Sequence, residues 1–166
     1  MAQSPSERPV TLSILDRLMD LEPYDKQELP LGRAASVRRL KEGICRDLEW
    51  LLNTRRIADP EEQTTKELMR SVYYYGLPDF TAYSLANPKD QAKLMRLLQN
   101  AVAVFEPRLA NVRITSVEAA TFGSRTLRFR IDGLLLMDPA PEHVSFDTAL
   151  ELTSGEYKVK RDGNAG

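Results

Sequence analysis

The sequence provides one cysteine, Cys45, and one histidine, His143, in 166 residues. That scarcity excludes by count an internal disulfide, a Cys/His zinc site and a Ser-His-Asp triad. An excess of one charge is lacking too. Lys and Arg total 23 against 24 Asp and Glu, and the net -1 gives no general pull toward nucleic acid or an acidic membrane. No apolar run approaches the roughly 20 residues that span a bilayer. The opening MAQSPSERPVT has no signal-peptide core, so a cytoplasmic location without direct membrane insertion is expected. A Walker lysine loop, a GxGxxG after a strand and a GxSxG turn are all missing. No carboxylate pair is singled out for glycoside hydrolysis by spacing or an apolar cradle. The expectation is a non-enzyme with no cofactor, no metal and no small-molecule substrate.

What is present is a helical half followed by a strand-rich half. With 42% hydrophobic residues, the chain suits one domain. Residues 1–11 read as a disordered lead-in, 12–160 as a single domain and 161–166 as a flexible tail. A short helix is predicted from Leu12 to Leu21, with Leu15, Leu18 and Met19 on one side. From Ala34 to Asn53, the positions Val37, Leu40, Ile44, Leu48, Leu51 and Leu52 form one helix face. Cys45 falls inside it and reads as a small buried hydrophobe rather than a reactive thiol. Arg55 and Arg56 follow, placed to meet the terminal carbonyls.

DPEE at 59–62 signals another helix start, and Leu68, Val72 and Tyr75 continue a stripe that stops at Gly76. Tyr73, Tyr74 and Tyr75 spread over roughly 200° of helix arc, so at least one ring must meet solvent or a partner. NPKD opens a further helix from Lys89 to Phe105, with Leu94, Leu97, Leu98, Ala101, Val102 and Phe105 inward. The period then becomes two. Val112 and Ile114 mark a first strand; Leu127, Phe129, Ile131, Leu135 and Met137 a second; Val144, Phe146, Leu150 and Leu152 a third; Tyr157 and Val159 a short fourth. The short connections favour a meander. The expected class is α+β, with N-terminal helices packed on one face of a small antiparallel sheet of three to four strands.

Three features lie outside this frame. Leu134 and Leu136 occupy the otherwise polar side of the second strand, which implies either cover by the N-terminal helix or a patch for another chain. The last strand, EYKVKR, carries Lys158 and Lys160 around Val159, either to prevent unwanted pairing or to allow a partner to add a strand. At Glu106, an acid stands where a helix ends, although the helix C-terminus prefers cations. Pro107 fixes a break there. Glu106 and Arg108 then point to one side, able to neutralise each other or to be offered together to a neighbour. A basic surface of Arg38, Arg39, Arg46, Arg55 and Arg56 is interrupted by Glu42, Asp47 and Glu49, and no nucleic-acid partner is expected.

The blocks ILDRLMDLEP, RDLEWLLNTRR, SVYYYGLPDF, FEPRLANVRI, LRFRIDGLLLMDPAPEHVSFDT and LELTSGEYKV, in this order, resemble the TssE family of type VI secretion baseplate components. That family is similar to tailed-phage wedge proteins once labelled lysozyme-like. The resemblance spans roughly Leu12 to Val159, and the family's Glu-Pro-Arg motif falls unaltered on Glu106, Pro107 and Arg108. It implies a structural subunit working with TssF, TssG and TssK wedges under a TssB/TssC contractile sheath. Partner-binding residues are then expected at Glu106, Pro107 and Arg108 and along Tyr157, Lys158, Val159 and Lys160. The competing expectation is a cytoplasmic interaction or regulatory domain unrelated to a contractile machine.

Overall fold

The computed structural model describes residues 9–19, 24, 32–56, 65–79, 83, 87–117, 126–151 and 155–161. Four strands, β1 (Leu109–Ser116), β2 (Thr126–Leu135), β3 (Glu142–Glu151) and β4 (Glu156–Arg161), pair antiparallel in the order β1-β2-β3-β4. Helices α2 (Arg33–Asn53) and α4 (Pro88–Phe105) lie across one face, α2 over β4 and α4 over β1. The class is α+β and the sheet a meander, as the alternating pattern requires. Strand periodicity reports the fold directly here because, among the described residues, helices cover only one face. Leu127, Phe129, Ile131 and Leu135 point into the helices while Arg128 is exposed.

The core is the interleaving of three apolar stripes. Leu40, Ile44, Leu48, Leu51 and Leu52 come from α2, Leu94, Leu98 and Val102 from α4, and the inward strand positions complete it. Tyr157 and Phe129, both buried, meet edge to face at 6.1 Å between centroids. Burying each such large side chain is worth roughly 1.5 to 3 kcal/mol, which makes the sheet–helix contact the main stabilising layer.

The helix ends differ from expectation in their chemistry. The carbonyls of Glu49 and Trp50 accept from Asn53 Nδ2 and Thr54 Oγ1, whereas Arg56 continues the backbone into a pairing with Leu77. Side chains two residues earlier than Arg55 and Arg56 therefore bond the terminal carbonyls. That pairing needs Gly76, whose φ is +102°. A Cβ there would lie 2.3 Å from the Thr54 carbonyl oxygen, so only glycine lets the chain pass. At α4, Asn87 Oδ1 accepts from the Lys89 N–H at 3.0 Å and Pro88 takes the first turn, the start that NPKD announces.

Two predicted helices are shorter. The stripe through Leu68, Val72 and Tyr75 becomes α3 (Lys66–Met69), capped by Thr65, and a separate 3-10 turn at Val72–Tyr74. Ser71 is extended between them. The sequence Val-Tyr-Tyr-Tyr has modest helix propensity, so burying Tyr74 outweighs continuing the helix. Tyr73 faces outward and Tyr75 is half-buried, as the arc argument requires. The DPEE start signal lies outside the described residues. α1 spans only Ile14–Leu18; of the residues expected on one side of it, Leu15 and Met19 are 44% exposed and Leu18 is 77% exposed. The second strand ends at Leu135, leaving Met137 beyond it. Leu152 of the third lies outside the described residues.

Candidate functional site

The acid at the end of α4 is neutralised from β1. Glu106 is the residue where the helix stops, its N–H still bonded to the Val102 carbonyl at 2.9 Å. Only 4% of it is exposed. Arg108 Nε donates to Glu106 Oε1 at 2.6 Å and its Nη2 donates to Oε2, a fork-on-fork pair two residues apart. The same Nη2 donates to Asp47 Oδ2 on α2 at 2.6 Å. The hydrogen bonds it donates to Glu106, with the charges of Glu106 and Asp47, hold the Arg108 pKa above the usual guanidinium range despite burial. Of the two outcomes open from sequence, the ions neutralise each other, with Glu106 inside and the Arg108 side chain 26% exposed. Pro107 between them is exposed.

The pair is one end of a longer ladder. Arg46 donates from Nε and Nη2 to Asp47 Oδ1 at 3.0 and 2.9 Å, and its Nη2 lies 2.8 Å from Asp16 Oδ1. Ser13 Oγ donates to Asp16 Oδ2 at 2.6 Å. Acids and arginines thus alternate from Glu106 through Arg108, Asp47 and Arg46 to Asp16, tying the α4–β1 corner to α2 and to α1. Burial raises the Asp16 pKa, but the Ser13 hydrogen bond and Arg46 outweigh it and leave the carboxyl below its ordinary value. The approach of Asp16 depends on Gly43: a Cβ there would meet Asp16 Oδ2 at 2.8 Å. An interior helix glycine costs up to about 1 kcal/mol against alanine, so this one serves packing, not helix formation.

Beside the corner is an open cleft of about 370 Å³, floored by Leu48, Leu51 and Phe105 and rimmed by Leu15, Tyr75 and Pro107. Tyr75 packs edge to face on Phe105 at 5.3 Å. Burial first, and then the negative charges of Asp47 and Glu106, push its hydroxyl pKa up.

The other expected contact residues lie across α2 from the corner. Lys158 and Lys160 are exposed on the uncovered face of the sheet, while the side chains of Tyr157 and Val159 are buried. The outer backbone edge of β4 is partly occupied. Asn53 Nδ2 donates to the Tyr157 carbonyl at 2.9 Å, and the Tyr157 N–H donates to Asn53 Oδ1 at 2.8 Å. Cys45 Sγ donates to the Val159 carbonyl at 3.2 Å. Burial, then Glu49, pushes the Cys45 pKa up, so this thiol acts as a packed side chain. Leu134 is half-buried and Leu136 is 53% exposed. Val10 and Thr11, not α1, share a cleft with Leu136.

Pro107 and the two-residue spacing made the Glu106–Arg108 pair legible, but Asp47, Arg46, Asp16 and Asn53 were missed. Asp47 meets Arg108 across 61 positions and leaves no local pattern. Gly43, unexpected inside a strong helix, was the available signal for a close approach.

Residues 38–140, more than half the chain and including the whole corner, match the model of the family described as baseplate wedge protein gp25. A chain in a solved structure described as "The baseplate complex from the type VI secretion system" is 22% identical, covering 68% of this chain and 94% of that one, with a TM-score of 0.46. No curated protein matches the sequence.

Proposed function

The chain belongs to the baseplate wedge protein gp25 family, and from that premise we propose that it joins TssF, TssG and TssK wedge subunits to the first TssB/TssC sheath ring of a type VI secretion apparatus. Its role as a structural baseplate component is the family's; the secretion system and the joint are our reading, supported by the block-by-block resemblance to TssE. One observation carries the joint. Arg108 uses Nε and Nη2 inside the fold, while Nη1 has no hydrogen-bond partner among the described residues. A guanidinium fixed on two sides and open on the third is preorganised to donate to a carboxylate or carbonyl of a neighbour.

Glu106 is then a positioning residue, and the exposed Pro107 and the Arg108 rim make the contact. Truncating one partner of a buried charged contact costs about 2 to 5 kcal/mol, enough to dismantle a marginal joint. On the far side of α2, the exposed Lys158 and Lys160 flank the stretch of the β4 edge beyond Tyr157, where sheath strands would add, with Tyr157 joining only when Asn53 releases its backbone N–H and carbonyl. The test is sheath assembly in cells lacking the chain and complemented with Arg108→Ala. Sheath assembly should require the chain and fall sharply with the variant. A folded Arg108→Ala protein that supports full assembly removes the corner from the joint, and assembly unaffected by deletion removes the baseplate role.

A further inference from the structure

α1 is built inside out. Its one carboxylate, Asp16, turns inward onto α2, while Ile14 and Leu18, one helical turn apart, are 75% and 77% exposed. Arg17 flanks Ile14 on the same face, exposed and without an ion pair among the described residues. An arrangement that hides the acid and shows the aliphatics is unfavourable for a free surface.

It is nevertheless fixed by specific contacts. The Val10 N–H donates to Ser36 Oγ at 2.9 Å, and Ser36 is itself buried and donates to the Arg33 carbonyl at 2.7 Å. Ser13 Oγ accepts from the Asp16 N–H at 3.1 Å, and the Asp16 carboxylate sits over the bare backbone of Gly43 against Arg46. Residues 10–16 therefore run along α2 as a strap, held by these polar groups and by Val10 and Leu12 packed against the core. Because these contacts use the polar side of α1, its apolar side stays outward.

We infer that α1 is a docking helix, and that its Ile14–Arg17–Leu18 face enters an apolar groove with a carboxylate at its rim on another baseplate subunit. Arg17 selects the occupant by charge. It favours a carboxylate beside the aliphatic contact, and an apolar cleft of this chain, of about 430 Å³ between Met69, Tyr74, Leu97 and Val104, has no carboxylate among its described lining residues. A second copy therefore offers α1 a poorer seat than a different chain. The inference rests on the baseplate reading above but uses a surface separate from Arg108.

The test is titration of the purified full chain against reconstituted TssF–TssG–TssK wedge. Ile14→Asp/Leu18→Asp should weaken binding at least about 100-fold with unchanged thermal unfolding, since neither side chain is in the core. Arg17→Glu should weaken it about tenfold and reduce its salt dependence. Gly43→Val, which leaves the docking face intact but displaces Asp16, should weaken binding and speed amide exchange at Val10 and Asp16. Wild-type affinity for the Ile14→Asp/Leu18→Asp chain overturns the inference while leaving the baseplate reading standing. So does a wild-type dimer in sedimentation that the same double substitution dissolves. A wild-type chain that binds no wedge subunit overturns the baseplate reading itself, and this inference with it.

Discussion

Replacing Arg108 by alanine removes three charged hydrogen bonds at once: two to Glu106 and one to Asp47. What remains is the larger effect. Glu106 is 4% exposed and would keep a carboxylate inside the α4–β1 corner without its cation. Breaking a buried ion pair from one side costs about 3 to 5 kcal/mol. Arg108 is partly exposed, so water can follow it into the gap, and the lower end, about 3 kcal/mol, is the expected loss. At about 2 to 4 °C per kcal/mol for a chain of this length, the melting temperature should drop by roughly 6 to 12 °C. The assay is thermal and urea unfolding followed by circular dichroism and by Trp50, the only tryptophan, whose ring centroid lies 5.0 Å from the Arg46 guanidinium of the ladder. A second variant separates the lost bonds from the stranded charge. Glu106→Gln/Arg108→Ala should be more stable than Arg108→Ala alone by about 1 to 2 kcal/mol, because the uncompensated carboxylate is gone. An Arg108→Ala loss under about 1 kcal/mol, or a double variant less stable than the single one, would refute the claim that the ladder holds the corner.

Gly76→Ala should cost at least about 2 kcal/mol in the same unfolding assay, since its φ of +102° and the nearby Thr54 carbonyl leave no place for a methyl group. Asn53→Ala strips both backbone groups of Tyr157 of their partner. It should cost about 1 to 3 kcal/mol and speed self-association measured by light scattering, by reopening the β4 edge. Asp16 titrates below its ordinary value. Its contribution is therefore present above the unfolded aspartate pKa of about 3.9 and lost as pH falls through the lower folded value. The Val10 and Asp16 amide resonances should hold from neutral pH to about 4.5 and move together below about 3.9; movement already near pH 6 would contradict the Asp16–Arg46 latch.

The meander was legible because each strand has one covered and one open face, so Leu127, Phe129 and Ile131 alternate with Arg128 and Arg130. The faces of α2 and α4 were legible for the same reason at helical period. α1 was not. Its orientation is set by Asp16 reaching Arg46 over Gly43, a polar contact between separate segments that a hydrophobic count does not register. The run at Val72–Tyr75 misled in another way: one buried ring, Tyr74, fixes a 3-10 turn that periodicity extends into a helix. At the corner, Pro107 and the spacing of Glu106 and Arg108 disclosed the pair. Its depth comes from Asp47 and the neighbouring core on α2, which no local pattern encodes.

The most direct measurement is a structure of the reconstituted wedge containing this chain, inspected at Arg108. The account predicts an oxygen of a neighbouring subunit within hydrogen-bond distance of Arg108 Nη1, with the Glu106 and Asp47 pairs intact and Pro107 in contact with the same neighbour. A corner that meets only water or its own chain in the complete assembly would contradict it.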